Sequence, residues 1–249
     1  MNSLLVFVGV CAVLALVALQ LYTLRKVRRI DTNTWEHTQQ INRTLDNLFR
    51  QQESLLAVYT DLRLEHSLLQ TRSWAGSPDL LAAIVREVQT SHPKLVVECS
   101  SGVSTVVLAR ALQLNGQGHV YSLEHEPVYA SKTRQELARH GLSDWATVID
   151  APLVPCATDM GEKSWYDLSG LPEVSIDMIV IDGPPETTGP LARYPAGVLL
   201  FPKLAQKACV FLDDADRPAE REAVSLWLHR YPELTHTQVP CEKGLAILR

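Results

Sequence analysis

Lys94 to Arg110, read K-L-V-V-E-C-S-S-G-V-S-T-V-V-L-A-R, narrows the possible folds more than any other stretch. The apolar run Leu95–Val97 suits a strand buried on both faces, and it ends at the acid Glu98. Ser100, Ser101 and Gly102 follow, and Val103–Arg110 resumes an apolar pattern of helical type. Strand, small-residue turn and helix open a doubly wound α/β domain, whose ligands sit at the carboxyl ends of the strands. Small residues in that turn let a ligand approach the backbone, and amides at the helix start can meet a polar group. The three-glycine dinucleotide fingerprint is missing, since the turn has Gly102 alone.

Downstream, apolar runs and helical patterns alternate. Strands are expected at His119–Leu123, Ala146–Ile149, Ile176–Ile181 and Ala208–Leu212. Helices are expected at Val128–His140, Gly197–Gln206 and Ala219–Arg230. Ser77-Pro78-Asp79 marks a further helix start, with Ser77 as N-cap and Pro78 in the first turn. Cys156–Pro172 reads as a polar, looping insertion, and Thr235–Val239 with Leu245–Leu248 as a closing antiparallel pair. This alternation implies an α/β fold with a Rossmann-like, mostly parallel sheet. The five parallel runs end at, or one step before, Glu98, Glu124, Asp150, Asp182 and Asp213. Five acids in register at the ligand-bearing edge point to a site rather than to solvated loop ends.

Composition excludes several classes. A net charge of -5 gives no reason to expect nucleic acid as partner. The five cysteines are odd in number and lack C-x-x-C spacing, which argues against a disulfide framework or a zinc site. No Ser-His-Asp or Cys-His order falls at suggestive positions. His119, His140, His229 and His236 are read as structural or solvated, and Trp145, Trp165 and Trp227 as core or lid residues.

Met1–Leu24 carries no charged side chain and is long enough for one membrane-crossing helix of about 20 residues. Arg25, Lys26, Arg28 and Arg29 follow it. Positive charge after the apolar run argues for a retained single-pass anchor, with the rest of the chain in the cytoplasm. Residues 25–71 then form a basic flank and helical stalk, and the globular domain spans 72–249. Ile41, Leu45, Leu48, Gln52, Leu55, Tyr59, Leu62, His66 and Leu69 alternate in steps of four and three. That coiled-coil-like seam pairs with a second copy, making a homodimer, or lies on the domain.

Four ordered motifs then carry a resemblance. They are Glu98-Cys99-Ser100-Ser101-Gly102-Val103-Ser104-Thr105, Ser122-Leu123-Glu124-His125-Glu126-Pro127, Ala151-Pro152-Leu153 and Ile181-Asp182-Gly183-Pro184-Pro185, with Arg193-Tyr194-Pro195 beside them. From Trp74 to its end the chain resembles class I S-adenosylmethionine-dependent methyltransferases, with a fold like that of catechol O-methyltransferase. The resemblance implies that Ser100, Ser101, Gly102 and Ser104 lie against the methionine part of S-adenosylmethionine, with Glu98 nearby. It implies that Glu124 holds the ribose hydroxyls, a diol that a carboxylate can accept from twice. His125 would flank the adenine, Asp150 and Ala151 would meet its edge, and Asp182 would face the methyl-transfer site as the catalytic residue. Ser100 stands where the family turn has its first glycine; a positive φ there would cost on the order of 1 kcal/mol.

Methyl transfer from a sulfonium requires in-line alignment and exclusion of water, and a hydroxyl acceptor also needs a base or a metal. Asp182, Asp213 and Asp214 resemble the magnesium (Mg2+) ligands of catechol-type enzymes, although no lysine follows Asp182 as it does there. The expectation is O-methylation of a small molecule, a glycan or a lipid-linked acceptor. Aminopropyl transfer on the same fold, and a non-catalytic membrane scaffold, are the alternatives.

Overall fold

The computed structural model describes residues 2–71 and 75–249. The expected domain start at residue 72 and the start of the resemblance at Trp74 lie outside the described residues. The chain divides into two compact units, Met1–Phe49 and Arg50–Arg249. Helix α1, Asn2–Leu62, forms the first and enters the second. Its amino-terminal part is long and apolar enough to cross a membrane, and Phe7, Leu14, Leu19 and Leu21 are exposed.

Within the second unit, the last turns of α1 bury Gln51, Val58 and Leu62, while Gln52 is exposed and Leu55 and Tyr59 are half-buried. The domain-facing stripe is therefore offset from the expected seam. The helix also stops at Leu62, because Arg63 turns left-handed at φ 48°. Arg110 caps that end, its Nε donating to the Leu62 carbonyl at 2.9 Å, a cation at the negative end of the helix. His66 and Leu69 consequently lie past the helix. Gln51 and Asp79 exchange two hydrogen bonds, of 2.7 and 3.2 Å, which tie α1 to the start of α2, Pro78–Ser91. Ser77 makes no cap of its own; its hydroxyl donates to Asp79 instead, at 2.6 Å.

Next come β1 (Leu95–Cys99), α3 (Val103–Asn115), β2 (His119–Glu124), α4 (Pro127–Arg139) and β3 (Ala146–Asp150). The insertion after β3 is an antiparallel hairpin of β4 (Leu153–Thr158) and β5 (Gly161–Tyr166), not a loop. Its strands were hidden by their polar composition, and its inner side chains, Trp165 and Tyr166, are buried. The chain continues through β6 (Ile176–Ile181), a short α5 (Pro195–Leu199), β7 (Leu204–Asp213), α6 (Pro218–Arg230), β8 (His236–Val239) and β9 (Leu245–Leu248). The helix expected over Gly197–Gln206 is shorter because Pro202 falls inside it and β7 already begins at Leu204.

The main sheet has the order β3-β2-β1-β6-β7-β9-β8. The five strands from β3 to β7 pair in parallel, and β9 runs antiparallel to both β7 and β8. Period-two alternation divides the core. Val96, Met178 and Phe211 face the α2 and α3 layer, with Leu80, Ile84 and Leu108. Val97, Ile179 and Val210 face the other layer, with Trp165, Tyr194 and Trp227. The order steps outward in both directions from β1 and β6, so their carboxyl ends form the topological switch point.

Candidate active site

The turn after β1 is built from below by Glu98. This carboxylate is fully buried and accepts a 2.5 Å hydrogen bond from the Thr105 hydroxyl, which itself accepts from the Gly102 amide at 3.0 Å. Burial pushes the Glu98 carboxyl up to about 7, against the lowering effect of the Ser104, Thr105 and Ser122 hydroxyls; Glu124 adds a further small rise. Glu98 thus braces the turn from within the core. Ser104 is buried on the same side.

Ser100 takes φ 94°, a region that L side chains rarely adopt, and its amide donates to the Leu123 carbonyl at 2.9 Å. Its carbonyl accepts from Ser122 Oγ at 2.8 Å. A Cβ added at Gly102 would meet nothing within 4 Å, so the space over the turn is open.

Glu124, from β2, is bound to this turn. Ser101 donates to Oε2 through both its amide and its hydroxyl, each at 2.9 Å, and the Glu126 amide donates to Oε1 at 3.0 Å. Three of a carboxylate's roughly four acceptor sites are then used. The His125 ring lies beside it, with Nδ1 3.3 Å from Oε1, and packs edge-on against Tyr166 at 5.9 Å between centroids. Ala151 is buried, and its amide donates to the Glu124 carbonyl at 2.7 Å. Asp150 points outward instead, where it pairs with Arg134 at 2.8 Å with its side chain 62% exposed.

Asp182, Asp213 and Asp214 converge at the ends of β6 and β7, with carboxylate oxygens within 4.8 Å of one another. Hard oxygen donors of this kind suit magnesium. However, the buried Arg193 guanidinium sits among them. Its Nη2 lies 2.7 Å from Asp214 Oδ2 and 3.3 Å from Asp182 Oδ1, Nη1 donates to the Asp213 carbonyl at 2.8 Å, and Nε is 3.7 Å from Glu220. Burial opposes the charge on Arg193, but Asp182, Asp214 and Glu220 more than offset this and raise its pKa. Burial, with Asp213 alongside, pushes the Asp182 carboxyl well up, and Arg193 pulls the other way. Burial and Asp214 likewise raise Asp213. The residues present already hold a cation, so they do not fit a magnesium centre as they stand.

The sequence pointed to Arg193 only as part of an Arg-Tyr-Pro motif, and gave no sign that its side chain reaches the three acids. Tyr166 also escaped notice. Among the described residues its buried hydroxyl has no hydrogen-bond partner, and a Cβ added at Gly183 after β6 would clash with it and crowd the Ser100 side chain. Thr105 and Thr133, which bond to Glu98 and Ser101, could have been suspected only from the three-dimensional arrangement. A cavity of about 180 Å³ lies between the β4–β5 hairpin and residues Thr188–Ala192, and one of about 220 Å³ between α6 and β8; neither is lined by the turn or by Glu124.

Residues 97–215 match a family described as a methyltransferase domain. No curated protein sequence matches the chain. Solved structures with a similar fold include a methyltransferase from Podospora anserina bound to S-adenosylhomocysteine, at 15% identity and TM-score 0.54 over 79% of this chain and 87% of that one. A Streptomyces achromogenes O-methyltransferase of tomaymycin synthesis, in complex with S-adenosylmethionine, aligns at 16% identity and TM-score 0.53, over 79% and 87%. A Bacillus cereus O-methyltransferase with S-adenosylhomocysteine aligns at 17% and TM-score 0.53, over 79% and 88%. The sheet order, the turn at the switch point and the family match agree: residues 97–215 match a methyltransferase-domain family, and the fold is that of the solved methyltransferases.

Proposed function

We propose that this chain is a membrane-anchored S-adenosylmethionine-dependent O-methyltransferase acting on a small-molecule, glycan or lipid-linked acceptor. The observation that carries the reading is the bonded pair of strand ends, the open Ser100–Gly102 turn after β1 and Glu124 at the end of β2. S-Adenosylmethionine supplies an electrophilic methyl group when bound. The turn lies against its methionine end, and Glu124 accepts from its ribose, with Ser101 Oγ yielding its place on Oε2. His125 and Ala151 flank the adenine side. Asp182 faces the acceptor, and its raised pKa is in the direction that a general base at neutral pH needs. The apolar amino-terminal helix holds the domain at a cytoplasmic membrane surface, which favours acceptors that reside there.

Calorimetric titration of the full chain in detergent with S-adenosylmethionine and S-adenosylhomocysteine tests the reading. Micromolar binding that Glu124→Ala weakens at least tenfold is expected. No binding by the folded chain would favour the scaffold reading, which draws its support from the strained Ser100 and from the three donors already on Glu124.

A further inference from the structure

We propose that Arg193 is the built-in cation of the acidic ends of β6 and β7, so that this site takes no divalent metal. The argument begins with how firmly the arginine is held. It leaves a turn in which the Tyr194 amide donates to the Leu191 carbonyl at 3.0 Å. The Tyr194 carbonyl accepts from Trp227 Nε1 at 3.0 Å, and the Gly197 carbonyl from the Tyr231 hydroxyl at 2.8 Å. Both ends of the segment are thereby pinned to α6 and the residue that follows it. The guanidinium is delivered into the acid cluster by packed backbone, not by a mobile surface arm.

The chemistry then favours one cation over two. A guanidinium stays charged under all conditions a folded protein meets. Magnesium wants about six oxygens near 2.1 Å. Bound to the Asp214 oxygen that lies 2.7 Å from Nη2, it would sit within about 5 Å of that fixed positive charge. Asp182 gives both its carbonyl and a carboxylate oxygen to the same nitrogen, at 3.2 and 3.3 Å, which fixes the carboxylate's orientation at the end of β6. Arg217, 3.0 Å from Asp214, brings a second positive charge to the cluster. Among the described residues, both Asp213 carboxylate oxygens, Asp214 Oδ1 and Glu220 Oε2 have no hydrogen-bond partner, and these are donors that a metal would seek. This makes the claim sharp: removing the guanidinium should create a metal site out of acids already in place.

The probe is Mn2+, followed by electron paramagnetic resonance with the full chain in detergent micelles. Wild type is expected to show no stoichiometric binding at millimolar Mn2+. Arg193→Gln is expected to gain one Mn2+ per chain, which Asp213→Asn then removes, while Arg193→Lys stays silent because it keeps the charge. One Mn2+ bound per wild-type chain with micromolar affinity would overturn the proposal, as would a folded Arg193→Gln that gains nothing. If Arg193→Gln does not fold, the wild-type titration still decides. The readout is metal binding, so its failure is separate from a failure of the cofactor reading.

Discussion

At the scale of single residues, Glu98 and Ser100 place opposing demands on one turn. Glu98 binds its proton more tightly in the folded chain than in the unfolded one, because burial raises its pKa from 4.5 to about 7. Its contribution to stability is therefore fully present below about pH 4.5 and is lost as pH rises to about 7, by at most on the order of 3 kcal/mol. Glu98→Gln has no such titration and can keep the bond from Thr105. The Tm of the variant minus that of wild type is expected to grow steadily from pH 4.5 to 7 in thermal melts, while a flat difference would refute the buried titration. Ser100 is strained at φ 94°. Ser100→Gly relieves that strain and loosens the unfolded chain, for a net gain of about 0.5–1 kcal/mol, seen as a rise in Tm. The resemblance had raised a positive φ at Ser100, and the structure has it, whereas the complete burial of Glu98 was not legible locally.

At the scale of elements, α5 and α6 act as one clamp. A Cβ at Gly197 would fall onto the Trp227 indole. Gly197→Ala is expected to cost about 1–3 kcal/mol through overpacking, and to disturb the Arg193 turn that the same indole holds. A lowered Tm together with new Mn2+ binding would connect the two; an unchanged Tm would contradict the packing. Strands β1, β2, β6 and β7 were read closely because parallel strands buried on both faces leave continuous apolar runs. The β4–β5 hairpin was not, since its alternation is carried by Pro155, Cys156, Lys163 and Trp165, a mixture without a clear period-two signal.

For the whole molecule, the anchor proposed for residues 2–24 is open to a direct test. The full chain is expected to stay in the membrane pellet after alkaline carbonate washing, and deletion of residues 2–24 to release it. Recovery of the full chain in the supernatant would remove the anchor from the reading. Further along the same helix, Ile41, Leu45 and Phe49 are exposed.

The sequence by itself determined the alternating α/β order, the strand ends that carry the acids, and the apolar amino-terminal helix, because each is a local pattern of side-chain period and charge. It brought Glu98, Glu124, Asp182, Asp213 and Asp214 to one edge of the sheet, since strand ends in parallel register must lie together. Only the tertiary structure decided which of those acids are bare, braced or paired. Ser101 on Glu124, Thr105 under Glu98 and Arg193 among the three aspartates are all contacts between segments. Such partners are chosen by packing in three dimensions, which no local pattern along the chain encodes.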